Sequence, residues 1–481
     1  MATLILASAN IIRRLSALFY IRASKYMASQ PKNIILIVAD SLRFDAVYRG
    51  TDLGVPYMQQ HGVQFTNARS AACWTLPGTA SLFSGLMPHE HGACTQSRWF
   101  KDEIPSLASK LKTQGYKPIM VTANSVTTEV FNLSKDFDEV HKIWQYVESR
   151  HPMLLRFVLT MNRPRVRKMV MKPNDEIFSK LSEDLSQGLV WAQKTCNNLF
   201  DKTRELMKAN NDKGQANFFF LNMMETHYPY HVNDTFELLS TSLRGKLREW
   251  HTFYHLLSQT FMKTDKPVIK QDMLDLFRER QHRAWLLIQK DLDAFIQELH
   301  RDENNLVVFC SDHGDNFGDQ GWQYHFNNVT DAGNKVPLFW FGHDHPTPEV
   351  KSHKVSSRLI HQSILEAAGF EKQNANLFEE TPYSLPLLQS YWYNNDGKTL
   401  DKYKYNQFCF VNDQDRFVLR NGQWMQAPIS EVGPEPRFEY IGNNINPIEE
   451  LNMDAEKRKY VSQTLNEFSA FSDMIMKKSL K

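Results

Sequence analysis

Two stretches of sequence decide the fold, Asn33–Asp40 (NIILIVAD) and Leu306–Asp315 (LVVFCSDHGD). Each begins with an unbroken run of aliphatic and aromatic residues, which is typical of a strand buried on both faces of a parallel sheet. Each run then ends in acidic residues. Ligands of open α/β sheets bind at the carboxyl ends of the strands. We therefore expect these two strands to carry a polar site at one edge of the sheet.

The rest of the chain supplies further strands and helices in alternation, with helix caps at Pro and Gly. The predicted strands are Val63–Asn67, Lys117–Thr122, Asn217–Met223 and Val336–Trp340; the predicted helices are Pro56–His61, Pro77–Gly85, Ile104–Gly115 and Val355–Gly369. Residues 140–215 and 235–300 are predicted to be mostly helical. This order indicates an α/β fold with a parallel-rich sheet covered by helices on both faces.

The domain organisation follows from this order. We expect an N-terminal extension at residues 1–30 and a catalytic domain at 31–390 with helical inserts at 140–215 and 232–300. Residues 391–481 are expected to form a small α+β subdomain with a helix. Within it, short antiparallel strands are predicted around Asp413–Asp415 and Asn421–Gly422.

Composition excludes several classes of protein. The chain has 481 residues, 42% apolar and 23% charged, which is ordinary for a globular protein. A formal net charge of +2 gives no reason to expect a nucleic-acid partner. The five cysteines form no CxxC pair and no disulfide framework. We therefore expect a reducing, cytoplasmic location.

The N-terminal segment has no acidic residue before Asp40. Its apolar run, Leu4–Ile12, precedes Arg13 and Arg14, whereas a secretory signal has the reverse order. No stretch reaches the roughly 18–20 apolar residues of a membrane span. An amphipathic surface helix, a targeting peptide and a leader upstream of a start at Met27 all stay open. We expect residues 1–26 to be dispensable for catalysis.

The polar residues at the two strand ends predict a divalent-metal site. Asp40 ends the first strand, and Asp312 and His313 follow the second. An Asp after a strand is often only a helix cap, but three such side chains at one edge are suitable metal ligands. The histidine favours Zn or Mn over Ca, with Mg as a further alternative. We expect one divalent ion.

Thr75 stands next to the predicted helix start in Cys73–Gly85 (CWTLPGTASLFSG). The N–H groups at a helix N-terminus favour an anion. A hydroxyl placed there beside a metal can lose its proton and act as a nucleophile. The alternative is that Thr75 only caps the helix.

Together these motifs resemble the sulfatase branch of the alkaline phosphatase superfamily. The resemblance runs in the family's order through NIILIVADSLRFD, TLPGTASLFSGLMPHEHG, METHYPYH, VVFCSDHGDNFGDQG, the VPLFW strand and the NPIEEL segment at Asn446–Leu451. It spans about residues 32–455. It implies an alkaline-phosphatase-like fold and a metal-dependent hydrolase of phosphate or sulfate esters.

The resemblance also assigns roles to individual residues. Asp40, Asp312 and His313 match metal ligands, and Thr75 matches the position of the nucleophile and of a further ligand. His227, in METHYPYH, matches a histidine that holds the anionic group or the leaving oxygen of the substrate. His325 matches the later active-site histidine. We read His89 and His91 as structural or supporting.

Three departures from the family pattern bear on the reaction. The second aspartate often found after the first strand is replaced by Ser41, and the signature arginine four residues after the nucleophile by Thr79. Cys73 lies two residues before Thr75 and lacks the following Pro that formylglycine formation requires. A threonine nucleophile is similar to phosphoethanolamine transferases, lipoteichoic acid synthases and nucleotide phosphodiesterases of the superfamily.

Three functions therefore stay open: an ester hydrolase, a phospho-group transferase acting on a glycan or lipid acceptor, and a non-catalytic binding protein on the same fold. A basic cluster in the first insert consists of Arg156, Arg163, Arg165, Arg167 and Lys168. It would attract an anionic substrate or a membrane surface, or form a solvated helix face. The sequence predicts neither the substrate nor the oligomeric state.

Overall fold

The computed structural model describes residues 30–49, 56–146, 194–228, 230, 242–249, 270–325, 327–342, 345, 347–373, 375–391, 405–412, 414–429, 437–442 and 445–479. The predictions for residues 1–26 and for the basic cluster at 156–168 lie outside these residues. Within the described part of the chain, no helix has the length and apolar character needed to cross a bilayer.

The structure is an α/β fold built on a mixed, mostly parallel sheet. The strands are β1 (Asn33–Ala39), β2 (Val63–Phe65), β3 (Ala68–Arg69), β4 (Tyr116–Thr122), β5 (Glu139–Lys142), β6 (Ala216–Met223), β7 (Asn305–Cys310), β8 (Asn316–Phe317), β9 (Gln323–Tyr324), β10 (Leu338–Phe341), β11 (Glu349–Lys351), β12 (Val355–Ser356), β13 (Leu387–Ser390), β14 (Gln407–Val411), β15 (Asp415–Arg420), β16 (Gln423–Pro428) and β17 (Glu439–Tyr440). The helices are α1 (Phe44–Tyr48), α2 (Tyr57–His61), α3 (Thr75–Ser84), α4 (Pro88–His91), α5 (Leu107–Lys112), α6 (Cys196–Asn211), α7 (Gln271–His300), α8 (Asp331–Asn334), α9 (Ile360–Ala367), α10 (Pro447–Glu450) and α11 (Ala455–Ser479).

The central sheet has eight strands in the order β11-β2-β10-β7-β1-β6-β4-β5. Strand β1 lies in the middle, parallel to both neighbours, with Ile35 opposite Phe219 of β6 and Val307 of β7. The carboxyl ends of β1 and β7 therefore meet at one edge, as the sequence predicted. Strand β10 differs, because it runs antiparallel to β7 and β2.

Both faces of the sheet are covered by helices. Residues Ile34, Leu36 and Val38 point to the side of α3, α5 and α9. Ile35 and Ile37 point to the side of α6 and α7. Every side chain of β1 is buried. Burial on two faces is the reason that its sequence shows a continuous apolar run rather than an alternation.

Several predicted boundaries were wrong. Helix α3 begins at Thr75, two residues before the predicted start. Pro77 is tolerated as its third residue because the first four N–H groups of a helix have no helical partner. Glu139–Lys142, expected to be helical, is the edge strand of the sheet, and its half-exposed polar side chains gave no strand signal. The Val355–Gly369 segment begins with a short strand before α9.

The C-terminal part contains a five-stranded antiparallel sheet in the order β13-β14-β15-β16-β17. It starts at Leu387, four residues before the predicted boundary at 391. Strands β15 and β16 flank Asn421 and Gly422, as predicted, and these two residues form the hairpin turn with positive φ. Helix α11 covers this sheet through Val461 and Phe468.

A buried cluster of three charges joins this sheet to the catalytic domain. Arg69 of β3 donates from Nε and Nη2 to the two carboxylate oxygens of Asp331, at 2.8 and 3.1 Å. Arg416 of β15 reaches the same carboxylate at 3.0 Å. Burial alone would raise the pKa of Asp331, but the charges of Arg416 and Arg69 lower it below its usual range.

We expect Asp331→Asn to destabilise the protein by about 3–5 kcal/mol, because it removes the buried negative charge that both Arg69 and Arg416 contact. Urea unfolding measures this free energy. Asp138→Asn is the matched control, since Asp138 forms a half-exposed pair with Lys112 and should change stability by less than about 1 kcal/mol. Equal effects of the two substitutions would show that the cluster does not hold the sheet.

Candidate active site

The predicted metal ligands converge at the edge where β1 and β7 end. Asp40 follows β1 directly, and Asp312 lies two residues beyond β7. One ligand atom from each of Asp40, Asp312 and His313 lies within 4.8 Å of the others, and all three side chains are buried. Parallel pairing of the two strands explains this convergence, because it places their carboxyl ends side by side.

Ser41 makes the sharp turn that separates Asp40 from the following helix. Its φ is +61°, in the left-handed region that few non-glycine residues adopt. The turn lets the Ser41 N–H donate to Asp312 Oδ1 at 3.3 Å and its hydroxyl donate to Asp40 Oδ1 at 3.2 Å. Ser41 therefore connects the two carboxylates, at the position where the family often has a second aspartate.

A second set of contacts fixes the loop that carries His313. Ser311 Oγ bonds to the carbonyl oxygens of Ala39 and His313 at 2.7 and 2.6 Å. Arg43 donates to the Asp315 carbonyl at 2.9 Å and to Asp319 Oδ2 at 2.8 Å. Burial alone would raise the pKa of Asp319, but the charges of Arg43 and Arg278 and the hydrogen bonds that Asp319 accepts together lower it to about 2. The loop after β1 and the loop after β7 are thus joined by ionic and neutral hydrogen bonds.

Thr75 is the first residue of α3, and its hydroxyl faces the acidic cluster. Oγ1 lies 3.5 Å from Asp40 Oδ2 and 3.4 Å from His313 Nε2. The helix N-cap is Trp74, and no side-chain hydrogen bond caps this helix. Thr75 is therefore the first helical residue and not the cap of this helix.

Gly78 allows α3 to approach the DHG loop closely. A Cβ at this position would lie 2.8 Å from the backbone oxygen of Asp312, closer than real Cβ contacts. Asp312 and Thr75 would then have to move apart, since the clash is with backbone rather than with a flexible side chain. Glycine at this position sets the distance between the two residues.

We expect Gly78→Ala to lower kcat/KM by up to about 100-fold, as misplacement of reacting groups by about 1 Å does. Steady-state kinetics measures the loss. Gly214→Ala is the control for backbone strain, because its φ of +73° disfavours alanine although nothing lies within 4 Å of a Cβ there. Gly214 precedes the amino end of β6, away from the site, so this variant should keep its kcat/KM. Unchanged kinetics for Gly78→Ala would mean that the spacing of α3 and Asp312 is unimportant.

The orientation of His313 suits metal binding. Its Nδ1 lies 2.7 Å from the Gly314 carbonyl and donates to it, which leaves the lone pair of Nε2 directed at the carboxylates. Nε2 lies 3.7 Å from Asp40 Oδ1 and 3.5 Å from Asp312 Oδ2. Burial lowers the pKa of His313 to about 4, which favours the neutral ring that metals bind.

The carboxylates fit a bound cation. Asp40 and Asp312 are both fully buried, and Asp312 Oδ2 is a buried oxygen without a hydrogen-bond partner among the described residues. Burial and the charge of Asp40 raise the pKa of Asp312 well above its usual range. Two adjacent buried carboxylates are costly unless a positive charge compensates them. A divalent ion bound by Asp40, Asp312 and His313 would supply that charge.

His227 and His325 form the opposite wall of the site. The His325 ring centroid lies 4.5 Å from that of His313 and 5.1 Å from that of His227. His227 Nδ1 lies 2.8 Å from the Tyr228 carbonyl and donates to it, and Nε2 lies 3.4 Å from the Tyr324 hydroxyl. Burial lowers the pKa of His325 well below its usual value, and the neighbouring histidines add to this effect. His227 is 9% exposed, whereas His313 and His325 are 0% and 3% exposed.

The sequence analysis missed several polar residues of the site. Asn124 donates from Nδ2 to Asp40 Oδ2 at 2.6 Å, and Thr226 donates to the Asp40 carbonyl at 2.7 Å. Asp315 lies 3.6 Å from His325 Nδ1 and accepts from the Tyr230 hydroxyl at 2.7 Å. Burial raises the pKa of Asp315 to about 8. Asn124 follows the end of β4 by two residues, and this strand-end position was the signal that could have found it.

The remaining predicted residues lie around this core. Cys73 is buried, its Sγ is 3.5 Å from Ser390 Oγ, and burial raises the pKa of its thiol. His91 is buried within hydrogen-bond distance of Ser81, and His89 lies against Gln389 and Glu467. Thr79 is buried, and its hydroxyl has no hydrogen-bond partner in the described ranges.

Most of the chain matches the sequence profile of a known family. The sequence profile described as Sulfatase matches residues 32–370. Arylsulfatase K of Canis lupus familiaris is 20% identical over 416 residues, which cover 83% of this chain and 75% of that protein.

Two solved structures have a fold similar to that of this chain. The phosphonate monoester hydrolase of Agrobacterium radiobacter has a TM-score of 0.59 at 14% identity, covering 92% of this chain and 96% of that chain. The lipoteichoic acid synthase LtaP from Listeria monocytogenes has a TM-score of 0.52 at 13% identity, covering 93% of both chains. At these identities the similarity concerns the alkaline-phosphatase-like fold.

Proposed function

The chain belongs to the sulfatase family, and from this premise we propose that it is a metal-dependent ester hydrolase with Thr75 as the covalent nucleophile. Its substrates are phosphate or sulfate esters, and phosphate esters are turned over better. The observation that supports this most is the position of Thr75 Oγ1, within 3.5 Å of both Asp40 and His313 at the first residue of α3.

The metal site belongs to the same proposal. Asp40, Asp312, His313 and Thr75 would hold one divalent ion, which supplies positive charge to polarise the ester and to stabilise the Thr75 oxygen. A ligand set that contains His313 favours Zn or Mn over Ca or Mg.

The first step forms a bond between Thr75 Oγ1 and the phosphorus and breaks the bond from phosphorus to the ester oxygen. Asp40 Oδ2, at 3.5 Å, is placed to accept the hydroxyl proton. The departing oxygen takes a proton from Nε2 of His227, which therefore starts this step with a proton on both ring nitrogens, because Nδ1 already donates to the Tyr228 carbonyl. In the second step His227 recovers its proton from water as the water attacks phosphorus, and His325 orients that water. Asp40 returns its proton to Thr75, which leaves as the hydroxyl.

The preference for phosphate follows from the chemistry of threonine. Formylglycine has a second hydroxyl, so its sulfate adduct breaks at the C–O bond and restores the aldehyde. Threonine has no second hydroxyl, and its adduct is released only by attack at the central atom. Phosphorus accepts such an in-line displacement when its charge is stabilised by a cation and a helix N-terminus.

We expect a panel of phosphate and sulfate mono- and diesters to show faster turnover of phosphate esters. The panel is assayed on apo protein reloaded separately with Mn, Zn, Mg and Ca, so that metal and substrate preference are measured together. Highest activity is expected with Zn or Mn. A clear preference for sulfate esters would contradict the threonine mechanism.

The transferase alternative concerns only the acceptor in the second step. The similar fold of LtaP motivates the comparison. Product analysis with and without a glycan or lipid alcohol distinguishes the two. A hydrolase releases the phosphate to water at the same rate in both, whereas a transferase forms the acceptor ester.

A further inference from the structure

A second cavity lies at the other end of α3. It has a volume of about 640 Å³ and is lined by Gly85, by Lys110 of α5, by His361 of α9 and by Tyr460 of α11. Ten residues of α3 separate its two ends, which corresponds to about 14 Å along the axis at 1.5 Å per residue. The cavity is therefore separate from the site at Thr75.

Lys110 brings a positive charge into this cavity. Its Nζ lies 3.1 Å from His361 Nε2. His361 Nδ1 donates to the Phe83 carbonyl at 2.9 Å, so Nε2 is a neutral acceptor. Burial lowers the pKa of Lys110. Among the described residues, no carboxylate forms an ion pair with Lys110.

Arg358 brings a second positive charge that also bonds neutral groups. It donates to the carbonyls of Gly85 and Tyr383 at 2.8 and 3.2 Å, and to the Tyr460 hydroxyl at 2.7 Å. Its Nε is buried without a hydrogen-bond partner in the described part of the chain. Gly85 and His361 connect this arginine to Lys110, since the His361 ring packs against Gly85.

The acidic residues of the lining are engaged with other groups. Glu90 accepts from the Met87 N–H at 2.7 Å. Glu467 lies 3.0 Å from both His89 Nε2 and Gln463 Nε2. Among the described residues neither glutamate forms an ion pair with Lys110 or Arg358. A cavity with two such cations is suited to an anion.

We propose that this cavity binds a small organic molecule that carries a phosphate or sulfate group, held between Lys110 and Arg358. Lys110 supplies a point charge whose ammonium has further N–H donors beyond the contact with His361. Arg358 adds a second positive charge, with its Nη2 already bonded to Tyr383 and Tyr460. A volume of about 640 Å³ exceeds by far the roughly 30 Å³ of a water molecule, so the cavity has room for the organic part as well.

Isothermal titration calorimetry with a hexose 6-phosphate tests the proposal. The Thr75→Ala background prevents turnover without touching the cavity. We expect the number of binding sites per chain in this background to fall by one when Lys110→Met is added, whether or not the hexose phosphate also binds at the Thr75 site. Lys112→Met is the matched control, because Lys112 lies on the same helix and pairs with Asp138 at 2.7 Å on the surface. Equal stoichiometry and affinity in the Lys110→Met and Lys112→Met proteins would overturn the proposal.

Four further measurements complete the test. Lys110→Arg should retain the second site, which separates loss of charge from loss of folding. Lys110→Met in the protein with intact Thr75 should leave kcat unchanged. Inorganic phosphate should bind this cavity at least about tenfold more weakly than the hexose phosphate, whereas equal affinity would contradict an organic ligand. A hexose 6-sulfate distinguishes the phosphate from the sulfate ester.

Discussion

Thr75→Ala is expected to lower kcat by on the order of 10³-fold or more, as removal of a catalytic nucleophile does in other enzymes. The hydroxyl points at Asp40 and His313 from the first residue of α3, and alanine leaves no oxygen at this place. Steady-state kinetics on a phosphate ester, with thermal unfolding of the same protein, separates loss of chemistry from loss of folding.

Two variants serve as controls for this prediction. Thr75→Ser keeps a hydroxyl at this position, primary instead of secondary, and should retain part of the activity. Thr79→Ala makes the same substitution one turn along α3, at a buried hydroxyl without a hydrogen-bond partner among the described residues. It should lower kcat by less than about tenfold, which is far less than the loss expected for Thr75→Ala. Near wild-type activity of Thr75→Ala would mean that water attacks the ester directly.

Asp312→Ala is expected to abolish turnover and to weaken metal binding by more than about 100-fold, because even residues that only support metal ligands contribute 10–100-fold. The fold should persist, since the substitution removes one of two adjacent buried carboxylates. Metal analysis after dialysis gives the stoichiometry, and circular dichroism checks the fold.

Asp138→Ala controls for loss of an acidic residue at the surface, where Asp138 is half-exposed. It should retain one metal ion per chain and full activity. Full activity and metal content of Asp312→Ala would mean that the metal site is placed wrongly.

The sequence predicted those parts of the fold that depend on local apolar runs. Strands β1, β6 and β7 are buried on both faces, so each is a continuous apolar run whose end can be recognised in the sequence. Strand β5 was missed because it lies at the edge with half-exposed polar side chains. The antiparallel direction of β10 depends on pairing with β7 and β2, which no local pattern encodes.

The candidate site was predictable to the extent that its residues stand at strand ends. Asp40, Asp312 and His313 follow β1 and β7 directly, and the order of strands brings them together. Asp315 and Tyr230 were not predictable, because their contact joins residues 85 positions apart in two loops. The role of Ser41 depends on its positive φ, which the residue type does not indicate.

Mass spectrometry of a trapped intermediate tests the central claim most directly. The protein is mixed with a slowly turned-over phosphate ester, quenched in acid and digested, and the peptide that contains Thr75 is sequenced by fragmentation. A covalent phosphoryl adduct on Thr75 is the predicted result, with no adduct in Thr75→Ala. An unmodified Thr75 while product is being released in a pre-steady-state burst, or an adduct on another residue, would contradict the assignment of Thr75 as nucleophile.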